Sequence, residues 1–170
     1  MTDALSTSSK LQADKPTQLD FGERLFLWGF RAIAQHHQSD HPVVPTIRDH
    51  YEQFGIADAA VLIHAMVDAF FHTAHAPIAI HSACCPCVSD EEAVLLRAMA
   101  AAQRGDIDAA REQFGRWLPE TAAEWIAVPV SEVGRLFHAA GLSLGARGLD
   151  GSQMAQTAAQ SWPAGSRTVH

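Results

Sequence analysis

Apolar residues between positions 19 and 145 recur every three or four residues, which is the period of one face of an α-helix. No stretch alternates apolar with polar residues as a half-buried strand would. The pattern therefore predicts an all-α fold, a compact single-domain bundle of six or seven helices. These helices are predicted to begin near Asp20, Thr46, Asp58, Ser89, Asp106 and Thr121, with a seventh after Pro129.

Several residues predict where these helices begin and end. Gly55 follows the second helix at a position that favours glycine, and Pro77 ends the third. Ser89 and Glu92 have the S-x-x-E spacing of a capping box, which predicts the start of the fourth helix. Pro129 is predicted to separate a short sixth helix from a seventh.

The length of 170 residues, of which 48% are hydrophobic, suits one domain with a substantial core. Residues 1–18 and 146–170 are mainly polar and lack periodicity, so we expect a disordered N-terminal tail and a flexible C-terminal tail around a helical domain at 19–145. Twelve basic residues against nineteen acidic ones give a net charge of −7. This charge disfavours nucleic acids and anionic membranes as partners.

The chain also lacks the usual signals for export or membrane insertion. Its first eighteen residues contain no apolar segment of the kind found in signal peptides, and no apolar run approaches the roughly 20 residues that span a bilayer. Three cysteines within four positions are an odd number and do not form a disulfide framework. We therefore expect a cytoplasmic protein.

One segment carries a concentration of metal-binding residue types. Residues 72–87 read HTAHAPIAIHSACCPC, and thiolate and imidazole are ligands that zinc and iron prefer. The spacing of Cys84 and Cys87 allows two sulfurs from one loop to reach the same ion. The sequence thus predicts a zinc or iron site whose candidate ligands are Cys84, Cys85, Cys87, His81, His75 and His72.

The same cysteines permit two other interpretations. They can be small buried residues that fill a loop between helices. Alternatively, Cys84 and Cys87 form a C-x-x-C element with proline in third place, as in thioredoxin-type enzymes, although the βαβ pattern of that fold is absent. A reversible disulfide or sulfenic acid requires an exposed thiol with a lowered pKa.

A second set of polar residues lies on the predicted third helix. His64, Asp68, His72 and His75 fall at i, i+4, i+8 and i+11, so they share one face beside the apolar stripe. Such a set can bind a metal, or its carboxylate can orient an imidazole. The alternative is a polar flank that faces solvent or another subunit. Three more imidazoles lie near the first loop, at His36, His37 and His41.

The stretch ACCPCVSDEEAVLLRAMAA resembles an uncharacterised family of small all-helical bacterial proteins. In that family a Cys-Cys-Pro element leads directly into an acidic-capped helix rich in Leu and Ala. Cys84, Cys85, Pro86 and the following Ser-Asp-Glu carry the likeness, which extends over roughly residues 20–145. The resemblance implies a helical fold and no activity, and Cys87 and the many histidines depart from it.

No nucleophile elbow, P-loop, dinucleotide fingerprint or H-E-x-x-H motif occurs, so no reaction is predicted and an enzyme is not the favoured interpretation. The favoured hypothesis is a small accessory or regulatory protein that binds a transition metal through its His/Cys loop. One alternative is a metal-free module that binds a partner protein or a second copy of itself, since large apolar residues such as Trp28, Trp117 and Trp125 are plentiful. The other alternative is a thiol redox switch.

Overall fold

The fold consists of helices packed around one apolar core. A computed structural model describes residues 19–37 and 42–145, and this part of the chain contains six α-helices and no strand. The all-α prediction is therefore confirmed. The described residues do not include the predicted tails at 1–18 and 146–170, nor do they include His41. The helices are α1 (Phe21–His36), α2 (Val43–Glu52), α3 (Ala59–Thr73), α4 (Asp90–Gln103), α5 (Ile107–Phe114) and α6 (Glu120–Ala139).

Local sequence explains most helix boundaries. At α4 the predicted capping box is present, because the Glu92 N–H donates to Ser89 Oγ and the Ser89 N–H donates to the Glu92 carboxylate. Gly55 has φ +70°, in the left-handed region that glycine adopts without strain. Gly105, with φ +81°, turns the chain between α4 and α5, which pack against each other.

The prediction of two helices around Pro129 is wrong, because α6 runs through this proline without a break. A proline inside a helix removes one backbone hydrogen bond. Here the apolar face continues across it, and Ile126, Val130, Val133 and Phe137 are all buried. Burial of each such side chain contributes about 1.5–3 kcal/mol, enough to outweigh one lost hydrogen bond.

Helix α3 lies at the centre of the bundle and packs against α1, α2 and α6, while α4 packs against α5 and α6. The core includes Phe26, Ile63 and Met66, which are fully buried. Tyr51 of α2 is also buried, and its hydroxyl donates to the Leu25 carbonyl at 3.0 Å. This packing sets the C-terminal half of α1 beside α3.

The tryptophans that suggested an interaction surface lie in different environments. Trp117 is buried in the core, and Trp28 is half-buried against His50 of α2. Trp125 is 80% exposed, and Val128, one turn later on α6, is 73% exposed. No helix of the described part is long and apolar enough to cross a membrane.

Candidate metal centre

The cysteines lie on the irregular segment between α3 and α4. Cys84 is exposed, whereas Cys85 and Cys87 are half-buried, and the described part contains no disulfide between them. His81 is half-buried on the same segment. His72 is exposed near the end of α3.

A buried ion pair holds this loop in place. Arg31 of α1 and Glu92 of α4 have side chains only 4% and 0% exposed, and the Arg31 Nε donates to Glu92 Oε1 at 2.6 Å. The Arg31 Nη2 donates to Glu92 Oε2 at 2.7 Å, which makes the pair bidentate. The remaining donors of Arg31 bind the loop, since Nη1 donates to the Cys85 carbonyl at 2.7 Å and Nη2 to the Cys87 carbonyl at 2.6 Å.

Glu92 fixes the other side of the loop. Its carboxylate accepts the backbone N–H of His81 at 3.1 Å and that of Ser89 at 3.0 Å. Burial raises the pKa of Glu92, but hydrogen bonds from Arg31 and from these backbone groups outweigh it and hold the pKa below its ordinary value. The carboxylate is therefore ionised at neutral pH, and its hydrogen bonds hold the backbone at both ends of the cysteine loop.

Hydrogen bonds within the loop also involve the sulfurs. The Cys87 N–H donates to Cys85 Sγ at 3.4 Å, and Ser82 Oγ lies 3.5 Å from Cys84 Sγ. We looked among the described residues for groups of three or more possible ligand atoms that lie within 4.8 Å of one another. No such group includes a cysteine. The predicted cysteine site therefore stays a prediction, on a loop that is already ordered by Arg31 and Glu92.

A three-ligand group occurs elsewhere, between α1 and α3. Ligand atoms of His37, Asp68 and His72 all lie within 4.8 Å of one another. Asp68 and His72 belong to the set predicted on α3, whereas His37 comes from the end of α1. The His37 Nε2 lies 2.5 Å from Asp68 Oδ1. The structure thus brings together two imidazoles and one carboxylate.

The ring of His37 is held in a fixed orientation. It stacks on Phe71, with ring centroids 4.2 Å apart and the ring planes within 6°. Its side chain is 11% exposed. Its Nδ1 is buried without a hydrogen-bond partner in the described part of the chain. This nitrogen lies on the other side of the ring from Nε2, which is the atom that faces Asp68.

His72 is oriented by its own helix. Its Nδ1 lies 2.8 Å from the Asp68 carbonyl oxygen, which can only accept a hydrogen bond, so Nδ1 carries the proton. This leaves the Nε2 lone pair of the neutral ring available. Donation of the second ring N–H to a carbonyl is the arrangement commonly found for metal-binding histidines.

The remaining histidines of the predicted α3 set occupy different positions. His64 Nδ1 lies 3.5 Å from Asp68 Oδ2, so it faces the other oxygen of the carboxylate. His75 lies beyond the end of α3, and its N–H donates to the Trp117 carbonyl at 2.8 Å. The prediction that His75 continues the helical face is wrong, because α3 ends at Thr73 and Ala74 is extended.

Comparisons with family models, curated proteins and solved structures find no match to this chain. The resemblance to a family with a Cys-Cys-Pro element therefore stays a prediction.

Sequence reasoning missed the importance of two residues, Arg31 of α1 and His37, the residue that follows α1. Arg31 could have been noticed as a single charge within an apolar helix, because a buried charge requires a partner. His37 carried no local signal, since its partner Asp68 lies 31 residues away. Only the packing of α1 against α3 brings the two together.

Proposed function

We propose that this protein binds a divalent transition metal ion, of the zinc or ferrous iron class, at His37, Asp68 and His72. The observation that carries the proposal is the approach of three ligand atoms from two helices within 4.8 Å of one another. Two imidazoles and a carboxylate are a ligand set that both ions accept. Since no reaction motif accompanies them, the proposed role is that of a metal-binding accessory or regulatory protein.

The observed distances are compatible with a bound ion after small movements. Zinc binds histidine nitrogen and carboxylate oxygen at about 2.0–2.2 Å, so tetrahedral ligand atoms lie about 3.3 Å apart. The His37–Asp68 contact of 2.5 Å must open by roughly 1 Å to admit an ion between its two atoms. The third ligand atom lies within 4.8 Å of the other two, so it must approach by at most about 1.5 Å to reach that spacing.

Calorimetric titration of the untagged, metal-free protein with zinc tests this proposal. We expect one ion per chain for the wild type and a loss of about tenfold or more in affinity for His72→Ala. His138→Ala is the matched control, because His138 is also an exposed histidine near the end of a helix. An affinity that is equal in all three proteins would contradict the proposal.

The second candidate is metal binding by the loop thiolates of Cys84, Cys85 and Cys87, with His81. It is favoured by the hydrogen bonds that Arg31 donates to the carbonyls of Cys85 and Cys87, which present the cysteines on an ordered backbone. A zinc ion there would add to the stability of the loop without being needed to form it.

Cobalt substitution distinguishes the two candidates, because thiolate ligands add an intense sulfur-to-cobalt absorption in the near ultraviolet. The His/Asp proposal predicts only weaker visible bands. A strong near-ultraviolet band that disappears in the Cys84→Ser/Cys85→Ser/Cys87→Ser variant would favour the loop instead.

A further inference from the structure

The three candidate ligands surround only part of the space where an ion would lie. His37 lies on the protected side, where its ring is 11% exposed and stacks on Phe71. His72 is exposed, and the Asp68 side chain is 42% exposed. Two helices supply all three donors, and zinc takes at least four.

His64 is the fourth residue to consider, and its position favours a different role. Its Nδ1 faces Asp68 Oδ2 at 3.5 Å, whereas His37 approaches the opposite oxygen, Oδ1. The group of mutually close ligand atoms contains His37, Asp68 and His72 without His64. This geometry places His64 beside the Asp68 carboxylate but outside the group of three candidate ligands, which suits a residue that positions Asp68.

The charge of the ligand set determines which further ligand would be favoured. Asp68 supplies one negative charge and the two imidazoles are neutral as ligands, so a divalent ion retains a net charge of +1. Protein metal sites with three protein ligands complete their coordination with water or substrate. A net positive charge on the exposed side favours an anionic donor over a neutral one.

We propose that an ion held by His37, Asp68 and His72 keeps an open coordination position toward solvent, where it binds a small anion. This inference rests on the metal site proposed above. An open position of this kind lets the ion take up a ligand from solution, whereas closed four-ligand zinc sites are structural.

The test uses the full-length protein loaded with cobalt(II) and titrated with azide. We expect a saturable change in the position and intensity of the visible d–d bands, with one azide bound per cobalt. His64→Ala should weaken cobalt binding by about tenfold, because it loses the contact that orients Asp68. At saturating cobalt, however, the spectrum of this variant and its response to azide should match those of the wild type.

Each contrary outcome has a distinct meaning. Cobalt bound at one ion per chain with a spectrum that azide does not change would overturn the open position and leave the metal site intact. A changed ligand-field spectrum in cobalt-saturated His64→Ala would show that His64 is a fourth ligand, which also overturns the inference. Failure of the wild type to bind cobalt would overturn both proposals.

Discussion

Replacement of Arg31 by methionine should destabilise the protein strongly, although Arg31 is not one of the proposed ligands His37, Asp68 and His72. The side chain is 4% exposed, and its four hydrogen bonds join α1 to α4 and to the cysteine loop. Methionine retains much of the apolar volume and removes the charge. The Glu92 carboxylate, which is fully buried, then lacks its cationic partner.

The magnitude follows from these contacts. Removing one partner of a buried ion pair costs about 3–5 kcal/mol, because the other charge stays uncompensated. Glu92 keeps the N–H groups of His81 and Ser89, so we expect a value near the lower limit, about 3 kcal/mol. At 2–4 °C per kcal/mol for a chain of this size, the melting temperature should fall by about 10 °C.

Urea denaturation monitored by circular dichroism measures this change in the free energy of unfolding. Arg97→Met is the control, because Arg97 is an exposed arginine of α4 and its replacement should cost within about 0.5 kcal/mol. In Arg31→Met/Glu92→Gln both charges are gone, so the double variant should be less destabilised than the sum of the single changes. Alkylation of Cys85 should also be faster in Arg31→Met, because its carbonyl is released.

Two results would refute this reasoning. One is a cost below about 1 kcal/mol for Arg31→Met, which is typical of an exposed ion pair. The other is strict additivity in the double variant, since coupled charges in direct contact cannot contribute independently.

Two further predictions concern acid stability and helix packing. The pKa of Glu92 is lowered on folding, so the ionised carboxylate stabilises the folded protein fully at pH values above the ordinary glutamate pKa. This stabilisation is lost as the pH falls through the lower pKa of the folded state. Glu92→Gln should remove this part of the pH dependence of the unfolding free energy. Gly29→Ala should cost about 1–3 kcal/mol by urea denaturation, because its methyl group would clash with the Tyr51 hydroxyl. The control Gly115→Ala should be tolerated, because its methyl group would come no closer than 3.4 Å to any neighbouring atom.

The sequence was sufficient to predict the helical class and most helix boundaries, because apolar periodicity and capping residues are local features. The Ser89–Glu92 capping box is an example, although its sequence gave no indication that Glu92 also pairs with Arg31. The prediction of a helix break at Pro129 was wrong, because apolar side chains on both sides of this proline are buried and maintain a single helix. Rules based on neighbouring residues cannot predict such tertiary packing.

The candidate site was predictable only in part. The i, i+4 spacing of His64, Asp68 and His72 showed that these residues share one face of α3. In the structure, His64 and His72 both lie near the Asp68 carboxyl group. The contribution of His37 depends on how α1 packs against α3, which no local pattern specifies. The clustering of the cysteines in the sequence predicted a site on their loop. The hydrogen bonds that hold this loop come from an arginine more than 50 residues earlier, which the sequence did not indicate.

The most direct test of the proposed site is the zinc content of two untagged variants purified under reducing, chelator-free conditions and reloaded with zinc. The cysteine-free variant Cys84→Ser/Cys85→Ser/Cys87→Ser should retain about one zinc ion per chain, and Asp68→Ala should retain far less. The opposite result, with zinc lost on removal of the cysteines and kept in Asp68→Ala, would contradict a metal site at His37, Asp68 and His72.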